Sequence, residues 1–481
     1  MQHTLCILAV SVPLIALAAP AGAITLTPIA STGSAAGDTG QTFTRFNARL
    51  QINAAGKTVF LGFTTPDGSR NDSGIFVGAP AGGTTTVAFE GEAAGDRGQI
   101  FRSFIRGVKL NDAVQTAFFA ITTPDSDGNF RGSFLGTPSG GNTIVAFRGD
   151  PAGGTGQTFR FFDGALHIND AGQTLIRGFL SGRGGFGIFL SDPAGGTTTV
   201  ASRGDAAGDT DQTFWSFALP SSLNRVGQST FSASTRSDSG DRSRGIFRGE
   251  PTGGTTTVAL RGDAVGRTGR TFTELRSPQL NDAGQVAFWA ETTPYDSGNN
   301  TGIFLDDPIS GITTVAFEGD AAGGTDQTFT GFYGGVKINN DGQTIFYAST
   351  TPDSSGNDVG VFLGTPTGGT VTVAFEGDAA GGTGQTFMEV SMSHLNDAGQ
   401  VAFIATLSDA RRGVFVRDGE GEILDVLLTG ETLNDATGAQ RTISEISNIV
   451  LSDYGIAMHV EFVGGGEGIF VAAVDPTVRV R

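Results

Sequence analysis

Short apolar runs bounded by Gly, Pro, Asn and Asp recur along the whole chain, four to a unit and always in the same order. One unit reads as a "TF" phrase, then "LNDAGQVAFWA" from Leu280, then "GIF" at Gly302, then "TTVAFEGDAAG" from Thr313. Runs of this length, rich in Val, Ile, Thr and Phe and punctuated by turn residues, predict strands. The strand interiors lack the apolar and polar alternation of a sheet with one wet face. In Gln285-Val286-Ala287-Phe288-Trp289-Ala290, Val, Phe and Ala fall on one side and Ala and Trp on the other, so both faces are predicted to be covered. Thr314-Val315-Ala316-Phe317 again sets large residues against small Ala. Sheets of this kind stack face to face.

The nine residues "LNDAGQVAF" at Leu280 to Phe288 return unchanged at Leu395 to Phe403. Variants start at Ile52, Leu110, Ile168, Leu223, Ile338 and Leu451, giving eight copies spaced 55 to 58 residues apart. Turn chemistry explains the phrase. Asn281 can hydrogen-bond its own backbone at the first position of a type I turn, and Gly284 takes the left-handed position of a bulged hairpin. The second copy breaks the rule with Val114 where Gly is expected, which predicts an altered or strained turn.

Eight such units can stack in a line or a ring, and the two ends discriminate. "ITLTPIASTGSAAG" from Ile24 is a fourth-strand phrase without its first three strands, whereas the eighth unit stops after its third strand near Val474. In a ring, the first strand completes the last sheet and no edge is left open. The expected fold is all-β: an eight-bladed β-propeller of four-stranded antiparallel blades, closed by the N-terminal strand completing the last blade. "QTF" is expected innermost and "TTVAFEGD" outermost. Residues 24–481 form this single domain, with a period of about 57 residues.

The pattern Asn281-x-x-Gly284-x-x-Ala287-Phe288, repeated at Asn396, Gly399, Ala402 and Phe403, resembles the signature of bacterial secreted proteins with an NxxGxxAF tandem repeat. The resemblance runs along the whole mature chain. It implies a secreted repeat protein and no established activity; members often carry C-terminal anchors, and none is evident here.

Composition sharpens the picture in three places. Phe dominates the aromatic content, with 37 Phe against 4 Tyr and 2 Trp, so few rings carry a polar handle. Residues 1–23 hold an apolar stretch and end in Ala21-Gly22-Ala23, which reads as a signal peptide cleaved near Ala23, although no Lys or Arg precedes the stretch. The stretch is short for the ~20 apolar residues of a membrane span, and no later segment is a candidate. The expected location is secreted or periplasmic, in a bacterium. Cys6, the sole cysteine, lies inside the signal, so the mature protein has no thiol chemistry. A formal charge of −18 repels nucleic acid and anionic lipid. The expected state is a monomer that meets an extracellular protein or glycan, with no nucleic-acid partner.

Candidate chemistry is sparse. Polar loops from Thr64, Thr122, Thr292 and Thr350 have the oxygen-rich composition that suits calcium. Asp125, Asp127, Asn129, Asp353 and Asp358 are the candidate ligands, in a spacing that ordinary turns also explain. No other cofactor is implied. Seven inter-blade loops place an acid after Gly (Glu92, Asp150, Asp205, Asp263, Asp320, Asp378, Glu431), and these are expected to bridge to the next blade's backbone. Three of them read Arg-Gly-Asp, but Glu318 and Glu376 replace the Arg elsewhere, which speaks against an adhesion motif.

The residue before each repeat phrase runs Gln51, Lys109, His167, Ser222, Gln279, Lys337, His394, Val450. Gln, Lys and His thus recur four blades apart. Descent from a four-blade ancestor accounts for this; the functional reading is a polar ligand-binding face at the axis formed by Gln51, Lys109, His167, Gln279, Lys337 and His394. His459 is read as a lone strand histidine that needs no ligand. The function expected is a non-catalytic binding or scaffold module for an extracellular protein, glycan or matrix component. The alternative is a hydrolase or lyase acting on an extracellular polymer or lactone through acids near the central opening.

Overall fold

The computed structural model describes residues 24–474, apart from 70, 139, 183–184, 195, 266–268, 295–297 and 299, and apart from the side chains of 106, 165 and 392. The stretch read as a signal peptide lies outside these residues. Eight antiparallel sheets form an eight-bladed propeller. Blade 5 is representative, with strands Phe272–Leu280, Val286–Thr292, Thr301–Asp307 and Gly311–Phe317 from the axis outward. The ring closes as the repeat register demands: Leu26–Ser31 pairs with Glu467–Ala473, with Leu26 opposite Ala472 and Ser31 opposite Gly468.

The blades are less uniform than four strands each. A tight ladder leads into the innermost strand, and in blades 3 and 8 it is long enough to form a fifth strand, at Pro151–Ala152 and Thr432–Asn434. In blades 1 and 4 the innermost strand is itself broken in two.

The two-faced strands explain how blades stack. In blade 5, Phe272, Phe288 and Phe304 come from three successive strands and pack edge-on and stacked, with centroids 5.2 to 5.8 Å apart. This Phe face meets Ile246, Val258 and Ala259 of blade 4, while the opposite face, with Ala287, Ile303 and Val315, meets Phe329, Phe346 and Phe362 of blade 6. Large rings against small aliphatic residues fill each wedge at native density, and the alternation repeats around the ring. Blade 8 departs from it: Ile443, Met458 and Phe470 replace the Phe triad.

Among the described residues no helix is long and apolar enough to cross a membrane.

Candidate functional site: the axial channel

Each innermost strand ends in the same register of four: a variable residue, an aliphatic one, Asn (Ser452 in blade 8), then usually Asp. Asn281 shows what the third position does. Its Oδ1 accepts from the Gln285 amide at 2.9 Å, and its Nδ2 donates to Gln285 Oε1 at 2.7 Å and to the Asn339 carbonyl of the next blade at 3.0 Å. The link repeats from Asn53 to Asn111, Asn169, Asn224, Asn281, Asn339, Asn396 and the Ser452 carbonyl. Ser452 Oγ then donates to the Asn53 carbonyl at 3.0 Å and closes a circle of eight hydrogen bonds. The turn Gly is equally constrained: Gly284 has φ +81°, and a Cβ there would stand 3.3 Å from Gln228 of the preceding blade. Val114 occupies the same left-handed position with φ 61°, a strained conformation for a β-branched residue, as its sequence position predicts.

The fourth position forms a second ring. The carboxylates of Asp112, Asp170, Asp282, Asp397 and Asp453 each accept the backbone NH of the fourth-position residue in the preceding blade, namely Ala54, Asp112, Arg225, Asn340 and Asp397 in that order. Arg225 lies 3.3 Å from Asp170 and 3.7 Å from Asp282. Together with the aliphatic residues Ile52, Leu110, Ile168, Leu223, Leu395 and Leu451, these rings line a cup of about 320 Å³ at one mouth. Its acids share one structural task, whereas acid and base catalysis needs two carboxyls in unlike surroundings.

On the other side of the aliphatic layer the first-position residues line the lumen. Lys109, His167 and His394, with Gln51 and Arg49, line a space of about 380 Å³. Gln279, Lys337 and His394 line an adjoining one of about 800 Å³. The structure thus brings all six candidate ligand-binding residues to the axis. Lys337 Nζ is 3.0 Å from His394 Nδ1, and His167 Nε2 is 3.1 Å from the Pro220 carbonyl. Gln51 and Gln279 donate to the backbone of their own strands. Burial pushes the His167 imidazole down to about 4, helped by the charge of Lys109 and opposed by the Pro220 hydrogen bond. Burial and then Lys337 push His394 down to about 3. Burial and the charge of Lys109 bring Lys337 down to about 8, and burial and then Arg49 lower Lys109. Both imidazoles are therefore neutral at pH 7. The four side chains are enclosed by protein yet keep some access to solvent, as lumen-lining groups do.

Residues that the repeat pattern did not single out shape this lumen. In blade 4 the innermost strand stops at Phe217 and resumes at Ser222, and Leu219 and Pro220 of the gap line both spaces. In blade 6 Tyr333 takes the inner-strand position held by Ile105 in blade 2 and Arg276 in blade 5 and lines the opening beside Tyr347, with ring centroids 6.1 Å apart. Glu389 is the carboxylate of the larger space. The available signals were Pro220 inside a strand phrase, Gly334-Gly335 inside another, and two of the chain's 4 Tyr in one blade.

The other candidates stand elsewhere. Asp125 accepts the amides of Asp127 and Asn129 at 2.9 and 2.7 Å and the Asn129 side chain at 3.1 Å, and Asp353 treats Ser355 and Asn357 alike. The backbone NH of Asp358 points to Glu376. Among the described residues no group of three or more His, Cys, Asp or Glu side chains is placed to hold a metal.

Among the described residues the seven inter-blade acids do not bridge to the next blade's amides. Each accepts the NH three residues before it, as in Asp320 with Phe317 at 2.9 Å, and so ties off its own outermost strand. The carboxylates of the three Arg-Gly-Asp triplets are among them. His459 is not isolated either: it is buried between Ser447 and Glu467, with Nε2 3.1 Å from the Glu467 carboxylate, which also accepts the Phe46 amide of blade 1 at 2.9 Å. This network lies on the seam where the ring closes, joining residues far apart in the chain.

Fold and site together define a β-propeller with a hydrogen-bonded cup at one mouth and an asymmetric, lysine-bearing lumen behind it. The chain belongs to DUF7453, a family of unknown function, whose model matches residues 18–266 and again 240–476. No curated protein matches it. Similar solved structures include a puromycin hydrolase (14% identity, 82% of this chain and 61% of that one, TM-score 0.36). Others are the GH74 xyloglucanase from Xanthomonas campestris (12%, 92% and 60%, 0.35) and the BP39L lectin from Burkholderia pseudomallei (13%, 80% and 100%, 0.35). The chain thus spans 61% and 60% of the hydrolase and xyloglucanase chains. Likeness this faint carries no argument about activity.

Proposed function

We propose that the protein is a secreted, non-catalytic binding module whose axial lumen takes part of an extracellular protein or glycan. The observation that carries this reading is where the symmetry breaks. The cup keeps one hydrogen-bonding rule through all eight blades, as a structural lock requires, while at the lumen blade 4 interrupts its innermost strand and blade 6 sets a Tyr pair where blades 2 and 5 carry Ile105 with Phe119 and Arg276 with Trp289. There blades 4 and 6 present Leu219 and Tyr333, which are 44% and 54% exposed at the rim of the 800 Å³ space. A concave site with apolar and aromatic walls and a few converging polar groups is the usual form of a ligand pocket. Secretion, the monomeric state and kinship with the NxxGxxAF proteins belong to the same proposal.

Binding to an array of extracellular polysaccharides and oligosaccharides, compared between the wild type and a Leu219→Ala/Tyr333→Ala variant, tests it. Loss of a bound glycan in the variant, with an unchanged melting curve, is the expected result; binding that survives it and follows the outer loops would overturn the assignment. The hydrolase or lyase alternative keeps one foothold, since Glu389 shares the cavity with His394. Turnover of a bound polymer by the wild type and not by Glu389→Gln would favour it.

A further inference from the structure

The lumen is a pocket of positive charge inside a strongly negative protein. The chain carries a formal −18, yet the narrower space is lined by Arg49, Lys109, His167 and His394 with no carboxylate among its lining residues. The wider space adds Lys337 and a single acid, Glu389. Glu389 forms no ion pair with Lys337 among the described residues; the Lys337 ammonium meets His394 Nδ1 instead. Nearby acids are otherwise engaged. Asp163 on the innermost strand of blade 3 lies 3.4 Å from Arg177, and the aspartates of the cup are held on backbone amides at the opposite mouth.

Lys109 has no hydrogen-bond or ion-pair partner among the described residues, and Lys337 has only the neutral imidazole of His394. The two lysines stand four blades apart in adjoining spaces that share His394, which lies 3.0 Å from Lys337 Nζ, and the charge of Lys109 acts on Lys337. Enclosing two ammoniums without a counter-ion is unfavourable, and an isostere without charge packs there at lower cost. A negative ligand that joins them reverses the balance, because it is drawn by both and displaces only lumen water.

Resting on the reading of the lumen as the ligand site, we infer that it recognises an oxyanion: the carboxylate or sulfate of an acidic sugar, held between Lys109 and Lys337. Arg49 at the narrower end draws the anion in, the neutral imidazoles of His167 and His394 add hydrogen bonds without more charge, and Tyr333 and Leu219 receive the sugar's apolar face.

Titration calorimetry and thermal melting of the whole protein with sodium glucuronate, sodium sulfate and glucose, at matched ionic strength, test the inference. Saturable binding of glucuronate or sulfate is expected, with a raised melting temperature and at least a tenfold loss of affinity in Lys109→Met and in Lys337→Met. Tighter glucuronate points to uronic acids, and tighter sulfate to sulfated sugars. The unliganded Met variants should melt no lower than the wild type; should either fail to fold, the wild-type anion titration and Lys109→Gln carry the test. No saturable anion binding, or affinity unchanged in the lysine variants, overturns the inference. If neutral glycans still bind and lose binding in Leu219→Ala/Tyr333→Ala, the lumen remains the site and only its charge preference is wrong. If neither set of variants changes any binding, both readings fall.

Discussion

Removing one link of the asparagine circle is the sharpest test of how this ring holds together. In Asn281→Ala the Gln285 amide loses its acceptor and the Asn339 carbonyl loses its donor, while Asn281 and Asn339 are 4% and 3% exposed. A buried polar group left without a partner costs about 1–3 kcal/mol, and water entering from the cup offsets part of that, so the expected loss is about 2–4 kcal/mol. Asn281→Asp separates donor from acceptor. It still accepts from the Gln285 amide but turns lone pairs toward the Asn339 carbonyl and Gln285 Oε1, two acceptors that now lack a proton. At pH 7 it should therefore be no milder than Asn281→Ala. Equilibrium urea unfolding followed by fluorescence of Trp215 and Trp289, with Asp127→Ala as a loop control, measures both. Because a ring of blades need not unfold in two states, the unfolding rate should be read alongside the midpoint. Variants within about 0.5 kcal/mol of the wild type, the usual range of neutral surface changes, would refute the circle as a structural lock.

Further outcomes follow from the same geometry. Val114→Gly exchanges the left-handed strain of a non-glycine residue, about 1–2 kcal/mol, for a half-buried side chain, and so should leave stability unchanged or raised. Gly284→Val, which creates that strain beside Gln228, should cost about 2 kcal/mol; a Val114→Gly variant that loses more than this would show the strain to be absent. Burial raises the Glu467 carboxyl, but hydrogen bonds from His459 and the Phe46 amide outweigh it and hold it below its ordinary 4.5. Its contribution is thus present above pH 4.5 and lost as pH falls through the folded value, so Glu467→Gln should flatten the acid limb of a stability profile, and an unchanged limb would remove the seam from the account. Lys337 has the same sign at the other end: it titrates at about 8 in the fold against 10.5 unfolded, so the unfolded chain holds the extra proton between them. Ligand-free protein should gain stability as pH rises from 8 to 9.5, and Lys337→Met should abolish the gain; a profile that only falls contradicts the unpaired lysine. Melting with a chelator should leave the midpoint unchanged, since Asp125 and Asp353 are occupied by their own loops; a lowered midpoint would place calcium there.

What could be read from the chain divides along a physical line. Asn281 and Gly284 announce their turn because its demands are local: a side-chain oxygen within reach of an amide four residues on, and a backbone at φ +81°. Closure was legible for a related reason, since the phrase at Ile24 belongs to a sheet whose other strands lie at the far end of the chain. Counting back one residue from the aliphatic position brought Lys109, His167, Lys337 and His394 to the axis, because a strict repeat fixes the register of every innermost strand. The partners of a side chain obey no such rule. Nothing near His459 in the chain reveals that Glu467 receives an amide from Phe46, and nothing near Asp320 distinguishes a bond to its own strand from one to the next blade. Leu219, Pro220 and Tyr333 were invisible for the opposite reason: they are noise against the repeat, and a consensus discards them. Yet a wedge that must fit its neighbours tolerates few departures, so a strand break in blade 4 and a Tyr pair in blade 6 that converge on one lumen carry information the consensus removes. In a symmetric ring, recognition of an asymmetric ligand has to reside in the residues that violate the symmetry, and here those residues surround the two lysines that lack a counter-ion.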